Sequence, residues 1–192
     1  TMPVKVGDRI RLRLINGSTS SFFQVGLEDH DFEIIAADGQ PVVPVKTGSL
    51  AIAIAERYDV LVTIKKSGSF TLNAAALGSV HKVAGVLHTA NASKKPNSER
   101  AAFPGSVVGV SDYSALKSPY PTLLGDGPIA FHPMSLGGEM KQYLWSMGGQ
   151  YYKSEFVPDG DATPVNVEYG QRVRVRFVNK TMMYHPMHLH GH

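Results

Sequence analysis

Apolar and polar residues alternate along much of this chain with the two-residue period of a half-buried β-strand. The run Arg9-Ile10-Arg11-Leu12-Arg13-Leu14 sets arginines on one face and aliphatic side chains on the other. A second run, Arg172-Val173-Arg174-Val175-Arg176-Phe177, repeats the pattern. Between them lie shorter apolar runs at Phe22–Val25, Phe32–Ala36, Leu50–Ile54, Val60–Ile64, Phe70–Asn73, Val83–Leu87 and Gln142–Met147. Turn signals punctuate these runs at Asn16-Gly17, Asp38-Gly39, Ser67-Gly68 and Gly148-Gly149, with Gly39 expected at positive φ. No stretch carries a sustained 3.6-residue period. Short strands with turns at close intervals predict an all-β sandwich or barrel.

The two arginine-bearing strands belong to a longer correspondence. At an offset of 163 positions, Gly7 meets Gly170, Arg9 meets Arg172, Arg13 meets Arg176 and Asn16 meets Asn179. The apolar positions between them match in kind. This is an internal duplication of a whole domain, longer than the repeats of solenoids. It predicts a first domain over residues 1–90 and a second over 139–192, joined by a proline-punctuated linker over 91–138 that crosses a surface. The second copy has an opening strand, around Leu144, that the first lacks, and the first runs on for about sixty residues past the point matching His192. Both domains are therefore expected to be incomplete, and the chain to be a fragment.

Composition narrows the chemistry. With 43% hydrophobic and 18% charged residues the chain is of globular type, and its formal charge of +3 comes without a Lys/Arg block interleaved with aromatics. Nucleic-acid binding is not expected. No apolar stretch approaches the roughly 20 residues of a membrane-spanning helix, and no signal peptide is visible at Thr1. The absence of cysteine excludes disulfides and thiolate ligands from this chain.

Four of the eight histidines fall in His185-Pro186-Met187-His188-Leu189-His190-Gly191-His192. Imidazole at fixed short spacing is a transition-metal signal. If an extended strand resumes at Pro186, His188 and His190 share one face and His185 takes the other, so one strand serves two metal positions. Under the 163-residue offset these histidines lie opposite Phe22, Val25 and Leu27, which are expected core residues of a copy without ligands. The scattered His30, His81, His88 and His132 are expected at the surface or in local hydrogen bonds. Met134, Met140, Met147, Met182, Met183 and Met187 are expected mostly in core packing, and Trp145 in the core or at an interface. Glu56 and Asp59 are expected to form a charged strand entrance.

The segment from Thr181 to Gly191 resembles the third-domain copper motif of the multicopper oxidases, His-Pro-x-His-x-His-Gly. The likeness extends through Arg174–Asn179, Ala36-Ala37-Asp38-Gly39-Gln40, Ala55-Glu56-Arg57-Tyr58-Asp59-Val60 and Glu139–Ser146, and is nearest to the bacterial copper-resistance branch and its laccase-like relatives. It implies tandem cupredoxin-like Greek-key domains, most of the second and the first half of the third being held here. It implies His185 as a type 1 copper ligand, His188 as a type 2 ligand and His190 as a type 3 ligand of a trinuclear cluster, with no ligand role for His192. The implied reaction couples one-electron oxidation of phenols or metal ions to reduction of dioxygen to water, in a periplasmic or secreted protein. The family's first-domain His-x-His motifs and its C-terminal His-Cys-His segment are absent, so the missing segments are expected as partners and the isolated chain is expected to be inactive. Two other readings remain beside this one: a cupin-like mononuclear metal enzyme, and a copper-free β-sandwich interaction module.

Overall fold

The computed structural model describes residues 1–96, 107–109, 113–121, 125–139, 141–142, 144–151 and 165–190. The chain divides into two compact units, Thr1–Pro121 and Thr122–His192. Apart from one 3-10 turn at Tyr113–Ala115, regular structure among the described residues is all strand. No helix there is long and apolar enough to cross a membrane. The fold is all-β, as the alternation predicts, and in keeping with the cupredoxin-like domains that the resemblance implies.

Among the described residues, unit 1 holds ten strands: β1 Met2–Pro3, β2 Arg9–Ile15, β3 Phe23–Leu27, β4 Phe32–Ala37, β5 Gln40–Thr47, β6 Ser49–Ile52, β7 Arg57–Thr63, β8 Ser69–Ala76, β9 Lys82–His88 and β10 Val107–Gly109. They form a six-stranded sheet in the order β1-β9-β8-β3-β6-β10 and a four-stranded sheet in the order β2-β7-β4-β5. Leu27, Leu50 and Phe70 from the first sheet meet Phe32, Ile34, Tyr58, Val60 and Val62 from the second in a single core. Fully burying one such aliphatic or aromatic side chain stabilises the fold by about 1.5–3 kcal/mol. Across the outer face of the four-stranded sheet, Arg9 pairs with Glu33 at 2.9 Å, and Arg11 and Arg13 share Asp59. Asp59 thus sits among strand arginines, as expected of a charged strand entrance. The β4–β5 hairpin turns on Asp38 and Gly39, both at positive φ (49° and 84°), the geometry of a two-residue primed turn.

Unit 2 holds β11 Ile129–Glu139, β12 Leu144–Met147, β13 Gln150–Tyr151 and β14 Arg172–Asn179, in the order β13-β12-β11-β14. Strand β11 runs parallel to β14, with Ile129 opposite Arg172 and Leu136 opposite Asn179. This corrects the linker expected over 91–138. That segment contains β10, the 3-10 turn and most of β11, and the division between units falls at Pro121. Pro128 and Pro133 mark it as irregular on sequence, yet Pro133 lies within β11, which has neighbours on both sides. Residues 97–106, 110–112 and 122–124 of the expected linker, with Met140 and Tyr143 of the strand approach, lie outside the described residues.

Candidate metal centre

The site is built at the end of β14 by a turn that both units share. In unit 1, Asn16 is buried; its Oδ1 accepts from the Ser18 N–H at 3.0 Å and the Ser18 hydroxyl at 2.7 Å. Its Nδ2 donates to Ser21 O at 2.8 Å and Ile52 O at 3.1 Å. In unit 2, Asn179 Oδ1 accepts from the Thr181 N–H at 2.9 Å and the Thr181 hydroxyl at 2.8 Å, while Nδ2 donates to Met183 O at 2.6 Å. An Asn-x-Ser/Thr sequence at the strand end gives a side-chain-closed turn in each case. In unit 2 the turn does one thing more.

Thr181 Oγ1 lies 2.6 Å from His185 Nε2. The single hydroxyl proton serves a carbonyl acceptor, Asn179 Oδ1 at 2.8 Å or Met183 O at 3.2 Å. Two bare acceptor oxygens at such distances would repel. Thr181 Oγ1 is therefore assigned as acceptor from His185 Nε2–H, the tautomer that leaves the lone pair on Nδ1. A metal-binding imidazole needs its other nitrogen held in this way.

Trp145 packs on the same ring, with centroids 5.1 Å apart and planes at 64°. It stands opposite Gly138 on β11. A Cβ at Gly138 would come within 2.4 Å of Trp145 Cε3 and 2.7 Å of Leu144 O, so only glycine lets β12 and its indole sit this close. The expected packing role of Trp145 is thus met by a histidine ring, with the indole still 38% exposed.

His188 and His190 are exposed and face each other, with ring centroids 4.8 Å apart and planes at 82°. No strand is formed at Pro186–His190, which corrects the extended strand expected there. The equivalent segment of unit 1 is β3, which is held between β8 and β6. Among the described residues of unit 2 no strands occupy those flanking places, and Pro186 has no N–H to offer a ladder. Of the positions opposite the histidines, Val25 and Leu27 are buried as expected, whereas Phe22 is only half-buried. His192 lies outside the described residues.

The remaining histidines fall at the surface or in local hydrogen bonds, as expected, whereas several methionines do not fall where expected. His30 and His88 are buried, each with Nδ1 at a local carbonyl, Glu28 O at 2.7 Å and Thr89 O at 3.2 Å. His81 is exposed and His132 half-buried. Met147, Met182 and Met187 are exposed, against the expected core packing; among the described residues they sit where unit 2 lacks a second sheet to cover them. Glu56 is drawn inward: burial pushes its carboxyl above the usual range, the Ala53 N–H at 2.6 Å pulls it back, and Asp38 pushes it up again.

Sequence reasoning missed Thr181 and Trp145 as neighbours of His185. The recurrence of Asn-x-Ser/Thr in both copies was the available signal for the first. Nothing in the sequence pairs Trp145 with His185.

Comparison with known proteins fixes the family. The family model described as multicopper oxidase matches residues 1–96, and a second multicopper oxidase model matches 130–192. The chain belongs to the multicopper oxidase family. It is 36% identical to multicopper oxidase MmcO of Mycobacterium tuberculosis over 98% of this chain and 36% of that protein. It is 28% identical to a laccase of Neurospora crassa over 100% of this chain and 35% of the relative. The chain thus spans about a third of the length of these curated relatives. The crystal structure of Fet3p, titled a multicopper oxidase that functions in iron import, matches 81% of this chain and 32% of its own length with a TM-score of 0.65 at 16% identity, a likeness of fold. A laccase from B. aclada matches 77% of this chain and 28% of its own at a TM-score of 0.51 and 25% identity.

Multicopper oxidases are copper-dependent oxidoreductases, and the donors present fit that metal. Neutral imidazole serves copper, and His185 presents a nitrogen already freed by its Thr181 partner. Among the described residues no group of three or more His, Asp or Glu side chains converges on one point. Ligands from elsewhere would have to complete any copper site.

Proposed function

We propose that this chain forms part of a laccase-like multicopper oxidase, contributing His185 to a type 1 copper and His188 and His190 to a trinuclear cluster. Bound copper would supply one-electron oxidation of a phenol or metal ion at the first site and reduction of dioxygen to water at the second. The observation that carries the reading is the asymmetry of the histidines. His185 is half-buried, tied by Thr181 and covered by Trp145, whereas His188 and His190 form a separate exposed pair.

The roles of the chain's own residues follow from that arrangement. Thr181 takes the Nε2 proton and fixes the tautomer, and Trp145 limits rotation of the ring. Pro186 leaves the backbone beside His185 without a donor. Unit 1, with Val25 and Leu27 at the equivalent positions, serves as a packing module. The rest of the ligands, the thiolate included, come from other segments of a longer polypeptide, periplasmic or secreted, as in the resemblance drawn from sequence. The family match sets aside the cupin-like mononuclear alternative.

Oxygen consumption by the full-length protein, followed with a phenol and with a reduced metal ion as alternative donors, tests the reading. Uptake with either donor is expected, and it is expected to fall to background in both His185→Ala and His188→Ala. Uptake that persists in both variants contradicts the assignment.

A further inference from the structure

Two adjacent glycines in the middle of a sheet call for a reason, since each weakens its strand. Gly137 and Gly138 end β11 opposite Ser146 and Trp145 of β12. Neither lies at positive φ, so the backbone conformation there does not require glycine. Space does. A Cβ at Gly137 would stand 2.8 Å from Ser146 Oγ, and one at Gly138 would stand 2.9 Å from Trp145 Cζ3 as well as 2.4 Å from Cε3. The sheet order is β12-β11-β14, and His185 follows β14. The indole therefore lies over β11, in the place a side chain at 138 would fill, and meets the imidazole on the far side.

The two neighbours of His185 differ in kind. Thr181 takes the Nε2 proton at 2.6 Å and so fixes which nitrogen faces a metal. A hydrogen bond of this sort supports a ligand whatever the charge of the ion. Trp145 offers the ring an apolar surface at a centroid distance of 5.1 Å. With one thiolate among neutral ligands, a blue copper site has no net charge as Cu(I) and one positive charge as Cu(II). Replacing water beside such a site by an apolar group disfavours the charged state more than the neutral one.

We infer that Trp145 is a positioning residue that sets the reduction potential of the copper held by His185, raising it by keeping water from the imidazole, and that Gly138 is glycine so that the indole reaches that ring. The inference rests on the reading of His185 as a type 1 copper ligand. It separates the two supports by what they control. Thr181 governs how tightly copper is held in either state, and Trp145 governs the balance between the states. The potential measures the ratio of the two affinities. A contact that only braces the fold weakens both states alike and leaves that ratio where it was.

A redox titration of the blue band in the full-length, copper-loaded protein tests this, on the parent and on Trp145→Ala, Trp145→Phe and Gly138→Ala. In Trp145→Ala the preference for Cu(II) over Cu(I) is expected to grow about tenfold, which lowers the potential by about 59 mV for one electron. Trp145→Phe keeps an apolar ring and is expected to fall by less than half as much. Gly138→Ala displaces the indole without removing it, and its potential is expected to fall with that of Trp145→Ala. A ratio in Trp145→Ala within about 1.5-fold of the parent, or about 10 mV, overturns the inference, and so does a rise. If Trp145→Ala holds no blue copper, the other two variants decide, and parental potentials in both overturn it. A blue band that survives His185→Ala removes the underlying copper assignment. A band lost in His185→Ala, with an unmoved potential in Trp145→Ala, removes this inference alone.

Discussion

Thr181 Oγ1 stands 2.6 Å from His185 Nε2, and the same hydroxyl is bonded to Asn179 Oδ1 at 2.8 Å. A strand-end turn thus sets the tautomer of a histidine four residues downstream. The first copy of the domain has the turn, through Asn16 and Ser18, but Phe22 in place of the histidine. The turn is the shared scaffold and the ligand is the addition.

Thr181→Val keeps the shape of the side chain and removes the hydroxyl. Copper affinity at the His185 site of the full-length protein is expected to fall by about 10–100-fold, the usual cost of losing a partner to a ligating histidine. Thr181→Ser is expected to restore most of it. Equilibrium copper titration followed in the visible spectrum checks both. An unchanged affinity in Thr181→Val would show that the ring is oriented by other groups.

Asn16→Ala should cost more stability than Asn179→Ala. The Asn16 amide makes four bonds and is buried; its loss removes a donor from Ile52 O and an acceptor from the Ser18 N–H, while Ser21 O keeps the Ser18 hydroxyl at 2.8 Å. A destabilisation of about 2–3 kcal/mol is expected from stranding buried polar groups. The exposed Asn179 turn, open to water, is expected to lose about 1 kcal/mol. Urea unfolding of the single variants gives the comparison.

Gly138→Ala forces a methyl group toward Trp145 Cε3 and Leu144 O. The β11–β12 pair must open, and the indole must leave His185. Trp145 is the only tryptophan in residues 1–192, so the intrinsic fluorescence of that chain reports on it alone. A red-shifted emission is expected, with unit 2 destabilised by about 1–3 kcal/mol. Emission identical to that of the unsubstituted chain would mean that β12 accommodates the methyl group without moving the ring.

Glu56 carries a pH dependence of definite sign. Burial, opposed in part by the Ala53 N–H and reinforced by Asp38, raises its folded-state value above the ordinary one. The folded chain therefore holds a proton that the unfolded chain has released. Stability from this group is complete below the ordinary glutamate range and declines as pH rises from there to the raised value, then stays level. Glu56→Gln retains an acceptor for the Ala53 N–H and should flatten that decline. Urea midpoints measured from pH 4 to 7 on both proteins check it; parallel curves would assign the slope to other groups.

The strands were legible because alternation in β2, β7 and β14 is regular and one face of each is charged. Strand β11 was not, since Pro133 and the paired glycines Gly137 and Gly138 remove the usual strand signals, and its place depends on pairing with β14, more than thirty residues along the chain. The histidine motif was visible as a run of spaced ligands. Its support was not, because Thr181 acts through a turn and Trp145 arrives from another strand. The exposure of Met147, Met182 and Met187 also escaped composition, since methionine packs readily wherever a partner surface exists.

The most direct measurement is the copper content of the full-length protein beside that of His185→Ala, with the visible spectrum of each. The blue band is expected in the parent, and the variant is expected to lose that band and one copper per molecule while keeping the copper held by His188 and His190. A variant that keeps both the band and the full copper content would contradict the assignment of His185, and with it the account of how Thr181 and Trp145 prepare the site.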